Sequence, residues 1–276
     1  MTRDPNRFKQ KPGLVVLFGS GEMSPTGRKI HEVVFRHAGI EAPVRIGILE
    51  TPTGYEVNAI HGWPERMQQF FEKGLKNYKP NVTRIRAWRK DGKYSTNDPN
   101  IVDAVLNQDY LYCGAGSPGY TIRHLKDSRA YENILRAHNE GSVLCLGSAT
   151  AVAMGAFSLP VYEIFKVGED LHWLKGLNFF ERYGLRLAIV PHWNNQEGED
   201  FDTTRCWMGN ERFTRLVSLL PNNVCILGID EQTACVFDFG QSLLAVHGAG
   251  KGHIISAGNE KVIGTADSVG LGDFKK

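Results

Sequence analysis

The strand-to-helix turn around Ser148 constrains the fold of this chain more than any other stretch. Residues 143–146 are four uncharged apolar side chains in a row, which predicts a strand buried on both faces. Small, helix-favouring residues follow at 149–154, so Gly147 and Ser148 have to carry the backbone through a sharp turn. Such a turn lifts the Ser148 hydroxyl clear of the sheet, beside free helix amides that stabilise developing negative charge. The stretch predicts a nucleophile elbow; the alternative is a buried corner in which Ser148 only caps the helix.

The size and charge of the chain exclude several classes of partner. Its 276 residues, 42% apolar and 22% charged, suffice for one large α/β domain or two small ones. The 32 basic and 30 acidic residues leave a net charge of +2 and form no long run of one sign. We therefore expect no nucleic acid and no membrane surface as partner, but a small peptide or amide substrate. The sequence leaves the oligomeric state open, a homodimer included.

Cysteine usage and the first apolar run indicate the compartment. The five cysteines include no C-x-x-C pair, and four lie in apolar runs, where cysteine behaves as a small hydrophobe: Cys113, Cys145, Cys225 and Cys235. This pattern argues for a reducing compartment and against a zinc site or any other metal site. The apolar run 14–18 is too short for a signal peptide core or a membrane span, so we expect a cytoplasmic protein.

Strand candidates alternate with helical patterns over the first two thirds of the chain. Apolar runs suggest strands at residues 14–18, 44–49, 83–88, 110–113, 143–146 and 187–190. The last candidates are separated by short turns and predict antiparallel hairpins at one edge: 224–227, 234–237, 243–246 and 253–256. The pattern predicts an α/β fold, a mostly parallel sheet with helices on both faces and antiparallel strands toward the C-terminal edge. We expect a mobile N-terminal tail (1–12), a single domain (13–260) and a C-terminal tail (261–276).

Ligands of such sheets bind beyond the carboxyl ends of the strands, and candidate catalytic residues occur there. Acyl transfer needs a nucleophile, a base and donors for the oxyanion. Ser148 is the candidate nucleophile, and His192, just past the strand 187–190, is the candidate base. The amides of Gly116 and Ala149 are the candidate oxyanion donors, because glycine lets the backbone approach a substrate closely. Neither glycine-rich loop has a P-loop or dinucleotide pattern, so we expect no cofactor.

The group that orients the histidine is not decided by the sequence. A carboxylate that accepts the imidazole N–H would hold the useful tautomer, and we favour Glu163. The alternatives left open are Glu169, Asp170, Asn194 and Glu231. We expect the substrate to be contacted by Ser117, Asn194, Arg205 and Glu231.

Charged residues around position 200 give two opposite expectations for the substrate. If the acids face the site, a basic substrate is favoured; these acids are Glu197, Glu199, Asp200 and Asp202. If the arginines face it, an Asp-containing peptide is favoured; these are Arg182, Arg186 and Arg205. A solvated charged loop is the third alternative.

Five short motifs follow one another in a specific order: Gly19-Ser-Gly-Glu22, Gly114-Ala-Gly-Ser-Pro-Gly119, Gly147-Ser-Ala-Thr-Ala151, Val190-Pro-His-Trp193 and Gly228-Ile-Asp-Glu-Gln-Thr-Ala234. Together they resemble the class I glutamine amidotransferase-like fold, and within it the serine peptidases of the dipeptidase E and cyanophycinase type. The resemblance implies a three-layer αβα fold and a triad in the chain order Ser148, Glu163, His192. It also implies that Gly116 is the oxyanion glycine.

Two departures from the family pattern bear on function. Thr150 replaces the glycine usual at the elbow, where a β-branched residue could narrow the pocket. The amidotransferases carry a cysteine nucleophile and a Glu two places after the histidine, whereas this chain has Ser148 and Asn194. Our hypothesis is therefore a serine hydrolase that cleaves an amide bond in a small peptide or isopeptide through an acyl-enzyme. The alternatives are a binding protein that has lost turnover and a glutaminase module of an amidotransferase.

Overall fold

Strands and helices alternate along most of the chain in the structure, a computed structural model that describes residues 11–274. The strands are β1 (Val15–Phe18), β2 (Arg45–Leu49), β3 (Asn81–Ile85), β4 (Tyr110–Cys113), β5 (Val143–Gly147), β6 (Phe157–Ser158), β7 (Leu174–Lys175), β8 (Leu187–Val190), β9 (Cys225–Ile229), β10 (Thr233–Asp238), β11 (Leu243–Gly248), β12 (Gly252–Ser256), β13 (Asn259–Ile263) and β14 (Ser268–Gly270). The helices are α1 (Pro25–His37), α2 (Val57–Gly74), α3 (Pro99–Val102), α4 (Pro118–Leu125), α5 (Arg129–Asn139), α6 (Ala149–Ala153), α7 (Thr204–Trp207) and α8 (Gly209–Ser218). Single turns of 3₁₀-helix lie at Thr51–Thr53, Lys76–Tyr78, Asp103–Asn107, Phe179–Tyr183 and Leu271–Phe274, and a π-helical turn lies at Glu163–Val167.

The strands form two sheets. The larger has the order β14-β11-β10-β1-β5-β4-β2-β3, and its strands from β1 to β3 run parallel. The smaller has the order β13-β12-β9-β8-β6-β7, with β6, β8 and β9 parallel. The predicted α/β fold class is confirmed. One detail differs: β9 and β12 belong to the second sheet rather than to one edge of a single sheet, and β9 pairs with β8 in parallel.

The central strands are buried on both faces, as their unbroken apolar sequence predicts. Val15 and Leu17 of β1 pack into one apolar cluster, whereas Val16 and Phe18 pack into another on the opposite face. Residues of α4 and α5 complete the first cluster, and residues of α1 and α2 complete the second. Because successive strand side chains alternate in direction, the sheet lies between two helical layers.

The C-terminal segment is part of the fold. The prediction of a tail over 261–276 is wrong as far as residue 274, because β14 pairs with β11 and the side chains of Leu271 and Phe274 are buried. β14 is only three residues long and contains one apolar residue, Val269, so it lacks the alternating apolar run that predicts a strand. Of the predicted N-terminal tail, residues 1–10 lie outside the described residues.

Three loops meet where the two sheets approach each other. The His192 N–H donates to Gly19 O, just after β1, at 3.1 Å. The Trp193 N–H donates to Ile229 O, at the end of β9, at 3.0 Å, and the Gln232 N–H donates to Ser20 Oγ at 3.2 Å. These three hydrogen bonds, two between backbone groups and one to a serine hydroxyl, fasten the loops after β1, β8 and β9 together. Within residues 11–274 no helix is both long and apolar enough to cross a membrane.

Candidate active site

Ser148 stands at the sharp turn between β5 and α6. Its backbone has φ 41° and ψ −109°, a conformation that a residue other than glycine adopts rarely. Its side chain does not cap α6, so the alternative of a helix-capping serine does not describe it. Instead, Ser148 Oγ lies 3.2 Å from His192 Nε2. Strain of about 1–3 kcal/mol is typical of a non-glycine residue held in such a conformation, and it persists where the surrounding structure over-determines it.

We expect Ser148→Gly to raise the free energy of unfolding by about 1 kcal/mol relative to Ser148→Ala, since glycine adopts positive φ without strain. Both variants remove the hydroxyl, so the difference between their free energies of unfolding reports the backbone strain at position 148. Urea denaturation of the two proteins measures it. A glycine variant no more stable than the alanine variant would contradict a strained turn.

His192 connects the serine to a carboxylate. It follows β8, and its Nδ1 lies 2.9 Å from Glu231 Oε1. An Nδ1–H that donates to Glu231 leaves the lone pair of Nε2 directed at Ser148 Oγ. The ring also packs against Trp207, with 4.7 Å between ring centroids. The imidazole is therefore held from two sides.

Glu231, and not Glu163, is the acid that contacts the histidine. It lies in the loop between β9 and β10, where its Oε1 also accepts the Nδ2–H of Asn195 at 3.1 Å. The hydrogen bond from His192, followed by that from Asn195, lowers the pKa of Glu231 below its ordinary 4.5. The carboxylate is consequently ionised at neutral pH and can stabilise an imidazolium.

Glu163 lies on the π-helical turn, against α4. A Cβ on Gly119 would come within 2.6 Å of Glu163 Oε1, and Oε2 is buried without a hydrogen-bond partner among the described residues. The sequence analysis favoured Glu163 as the acid that orients the histidine, but the acid in hydrogen-bond contact with His192 in the structure is Glu231. Glu169 forms an ion pair with His172 at 3.8 Å, and Asp170 accepts a hydrogen bond from the same ring through its backbone oxygen.

The two candidate oxyanion donors lie beside the serine. Gly116 and Ala149 both line the cavity that contains Ser148, and the hydrogen bonds found among residues 11–274 use neither of their amides. Gly116 has φ 140°, and a Cβ there would lie 1.9 Å from Pro52 O. Only glycine fits this close approach. Ala149 is the first residue of α6, so its N–H has no acceptor within the helix.

A cavity of about 270 Å³ opens at the serine. Its lining comes from the elbow, the glycine loop, the π-helical turn and the segment around α7: Gly116, Pro118, Ser148, Ala149, Val152, Val161, Tyr162, Phe165, Lys166, Glu197, Cys206 and Trp207. The site thus combines an alcohol, an imidazole, a carboxylate and two free amides at the mouth of one cavity. This is the set that acyl transfer requires.

Two solved structures of similar fold carry the name peptidase. A peptidase from an acI-B1 Actinobacterium superposes with a TM-score of 0.74 at 20% sequence identity, covering 95% of this chain and 98% of that one. A putative peptidase E protein from Listeria monocytogenes EGD-e superposes with a TM-score of 0.56 at 14% identity, covering 86% of this chain and 99% of that one. The chain has a peptidase E-like fold. The fold predicted from the five motifs is confirmed, although no family model and no curated protein sequence matches the chain.

In this peptidase E-like fold, the other residues predicted to contact a substrate make contacts within the loops. Ser117 caps α4 by accepting the Tyr120 N–H at 3.1 Å. Asn194 Oδ1 accepts the Glu231 N–H at 2.8 Å. The guanidinium of Arg205 stacks over the Trp193 ring at 3.9 Å, and burial lowers its pKa.

Sequence reasoning missed two residues of this peptidase E-like site. Asn195 is fully buried and donates to the Glu231 carboxylate that contacts His192. Trp207 packs on the imidazole, and the backbone turns left-handed at residues 205–207 to bring it there. Asn195 directly follows Asn194 in the run after the histidine, a signal that could have identified it. Nothing in the sequence indicates the unusual backbone before Trp207.

Thr150 does not narrow the cavity. Its side chain is fully buried, and its hydroxyl donates to Cys113 Sγ of β4 at 3.6 Å, so it packs into the core. All five cysteines are buried and free. In the part of the chain that the structure describes, no group of three or more His, Cys, Asp and Glu side chains could hold a metal ion.

Glu22 is a buried carboxyl directly behind the elbow. A Cβ on Gly147 would lie 2.1 Å from its Oε1, which shows how closely it approaches the end of β5. Burial, the largest effect, raises its pKa above the ordinary 4.5. Between 4.5 and the raised pKa the folded protein therefore binds more protons than the unfolded chain, and stability falls as pH rises.

We expect Glu22→Gln to flatten this pH dependence by about 1.4 kcal/mol per pH unit, the effect of one proton, within that window. Urea denaturation of both proteins at several pH values above about 5 measures the difference in slope. The matched control is Glu132→Gln on the exposed face of α5, which should keep the wild-type slope. Parallel curves for wild type and Glu22→Gln would show that Glu22 is not held protonated.

Proposed function

We propose that the chain is a serine hydrolase that cleaves an amide bond of a small peptide or isopeptide through an acyl-enzyme. The proposal is carried by one observation, the continuous chain from Ser148 Oγ to His192 Nε2 (3.2 Å) and from His192 Nδ1 to Glu231 Oε1 (2.9 Å) at the mouth of a cavity. The peptidases of similar fold support a peptide as substrate. At their low sequence identity this support concerns the fold, so the chemistry is argued from the site.

In the proposed reaction, His192 Nε2 takes the proton of Ser148 as Oγ bonds to the substrate carbonyl carbon. The oxyanion receives hydrogen bonds from the amides of Gly116 and Ala149. His192 then returns its proton to the leaving nitrogen, the C–N bond breaks, and an ester on Ser148 remains. A water molecule, deprotonated by the same imidazole, attacks the ester and releases the acid while Ser148 regains its proton. Glu231 holds the imidazole tautomer and stabilises the imidazolium throughout.

The two alternative functions have less support. A glutaminase would use a cysteine nucleophile, but the cysteine that lines the cavity, Cys206, is buried, and burial raises the pKa of its thiol. A binding protein without turnover would be favoured by a side chain that blocks the elbow, and Thr150 points into the core instead. The five buried, free cysteines support a cytoplasmic location.

A fluorophosphonate probe followed by peptide mapping tests the proposed function. We expect a single label, on Ser148, and a labelling rate that falls at least about 100-fold in His192→Ala, since the alcohol then lacks its base. The control is His61→Ala, an exposed histidine of α2, which should label at the wild-type rate. If Ser148 stays inert under conditions that label a control serine hydrolase, the chain is a binding protein.

A further inference from the structure

We propose that the cavity beside Ser148 selects an uncharged, apolar side chain on the acyl side of the bond that is cleaved, and rejects acidic and basic ones. This inference rests on the proposed function, because it describes the subsite next to the nucleophile. The charged residues near position 200 left open whether the substrate is basic or acidic, and the inference is that it is neither at this subsite.

The floor of the cavity is apolar. Val152 and Ser148 both line the cavity, and the Val152 N–H donates to Ser148 O at 3.1 Å. Val152, Val161 and Cys206 are only 1%, 6% and 3% exposed, and Pro118 is also buried. Every buried side chain that lines the cavity is therefore uncharged and apolar. An apolar ligand group that contacts this floor would be stabilised by its removal from water, and no charged group would have to lose its hydration.

The charged side chains of the lining lie at its rim. Lys166 and Glu197 are both exposed. The Lys166 ammonium lies over the ring of Phe165, 5.6 Å from its centroid, and Phe165 itself is largely exposed. Charges at this position remain hydrated, so they can meet polar ends of a substrate but cannot serve as a counter-ion within the floor.

The arginines that would recognise an acidic substrate are bound elsewhere. Arg205 donates to Trp193 O at 3.2 Å and stacks on that ring. Arg186 donates to Asn223 Oδ1 at 2.9 Å, and Arg182 lies over the ring of Phe179. None of the three lines the cavity.

The acids that would recognise a basic substrate are also either hydrogen-bonded within the protein or located away from the cavity floor. Asp202 accepts hydrogen bonds from Thr204 and Asn210. Of the acidic loop, Glu197 alone lines the cavity, and it does so at the rim. An ionised side chain bound against the floor would lose its hydration without a partner, which costs several kcal/mol. The selectivity for an apolar group therefore comes more from the desolvation cost of a charged group than from favourable contacts of the apolar one.

A series of α-aminoalkyl diphenyl phosphonates with leucine-like, aspartate-like and lysine-like side chains tests the inference. These probes phosphonylate nucleophilic serines: Oγ bonds to phosphorus and a phenoxide leaves. Mass spectrometry of the full chain gives the rate constant for modification of Ser148. We expect the leucine-like probe to react at least about 30-fold faster than either charged probe, by analogy with pockets that lack a partner for a substrate group. An aspartate-like or lysine-like probe that reacts as fast as the leucine-like one would overturn the inference.

Two variants of the same segment sharpen the test. Val161→Lys places an ammonium at the floor and should raise the aspartate-like to leucine-like ratio of rate constants at least about 10-fold. The matched control, Val167→Lys, changes a valine that is 73% exposed on the same turn and should leave the ratio unchanged. An unchanged ratio in folded Val161→Lys would count against the floor as the selecting surface. The wild-type series decides the inference by itself if Val161→Lys does not fold.

A small methyl fluorophosphonate, which has no side chain to select, separates the two proposals. If it labels Ser148 and the side-chain series shows no apolar preference, the inference alone fails. If it does not label Ser148, the proposed hydrolase fails and the inference falls with it.

Discussion

Replacing Ser148 with alanine should lower kcat for amide hydrolysis by about 10⁴-fold or more and change the free energy of unfolding by less than about 1 kcal/mol. The loss is large because the alcohol forms the bond to substrate, and without it only the oxyanion amides and substrate binding remain. Stability changes little because the hydroxyl caps no helix and the alanine keeps the same backbone conformation. Turnover of an apolar dipeptide amide and urea denaturation measure the two effects.

Ser128→Ala is the matched control for this prediction. Ser128 caps α5 by accepting the Tyr131 N–H at 3.2 Å, and it is a serine outside the site. Its removal should lower the free energy of unfolding by about 1 kcal/mol and leave kcat unchanged, the reverse of the Ser148 pattern. If Ser148→Ala kept more than a few per cent of wild-type kcat, the nucleophile would have to be another residue.

Glu231→Gln should lower kcat by about 10²–10⁴-fold, whereas Glu163→Gln should stay within about 3-fold of wild type. An amide at position 231 can present its NH₂ to His192, which favours the tautomer that cannot accept the proton of Ser148 and removes the charge that stabilises the imidazolium. Glu163 lies against Gly119 of α4 and makes no contact with the imidazole. Both substitutions replace a glutamate with glutamine, so a difference in kcat between the two variants reports the location of the carboxylate and not the type of change.

Acid stability supplies a second measure of the same carboxylate. Because the hydrogen bond from His192 lowers the pKa of Glu231 below 4.5, its contribution to stability is present above pH 4.5 and is lost as pH falls through the lowered value. Glu231→Gln should therefore lose more stability at neutral pH than in strong acid. A variant of Glu163 that lost turnover while Glu231→Gln kept it would reverse the assignment of the triad acid.

Local chemistry was sufficient to predict the sharp strand-to-helix turn at Ser148. Four apolar residues followed by small helix formers leave few backbone paths through Gly147 and Ser148, and the strained serine of the structure is the result. The position of His192 just past a strand end was predictable, but its strand β8 belongs to the smaller sheet, so its approach to Ser148 depends on how the two sheets pack. Gly116 was predictable because a glycine permits close backbone approach, and Pro52 O does lie against it.

The triad acid could not be predicted in the same way. Glu163, Glu169, Asp170 and Glu231 carry the same functional group, and the sequence ranks them only by order along the chain. In the structure the choice follows from the loop between β9 and β10, which crosses from the smaller sheet to the larger one and passes the histidine. Asn195 lies in the loop after β8 and meets Glu231 because this crossing passes beside it.

The sequence by itself determined an α/β fold with a serine elbow, a histidine at a strand end and a glycine loop, because periodicity, turn chemistry and glycine act over a few residues. The tertiary structure decided which carboxylate meets the histidine, that the last strands divide between two sheets, and that the cavity floor is apolar while the charges stay at its rim. These features depend on contacts between segments far apart in the chain, and such contacts are set by how the two sheets pack rather than by local preference.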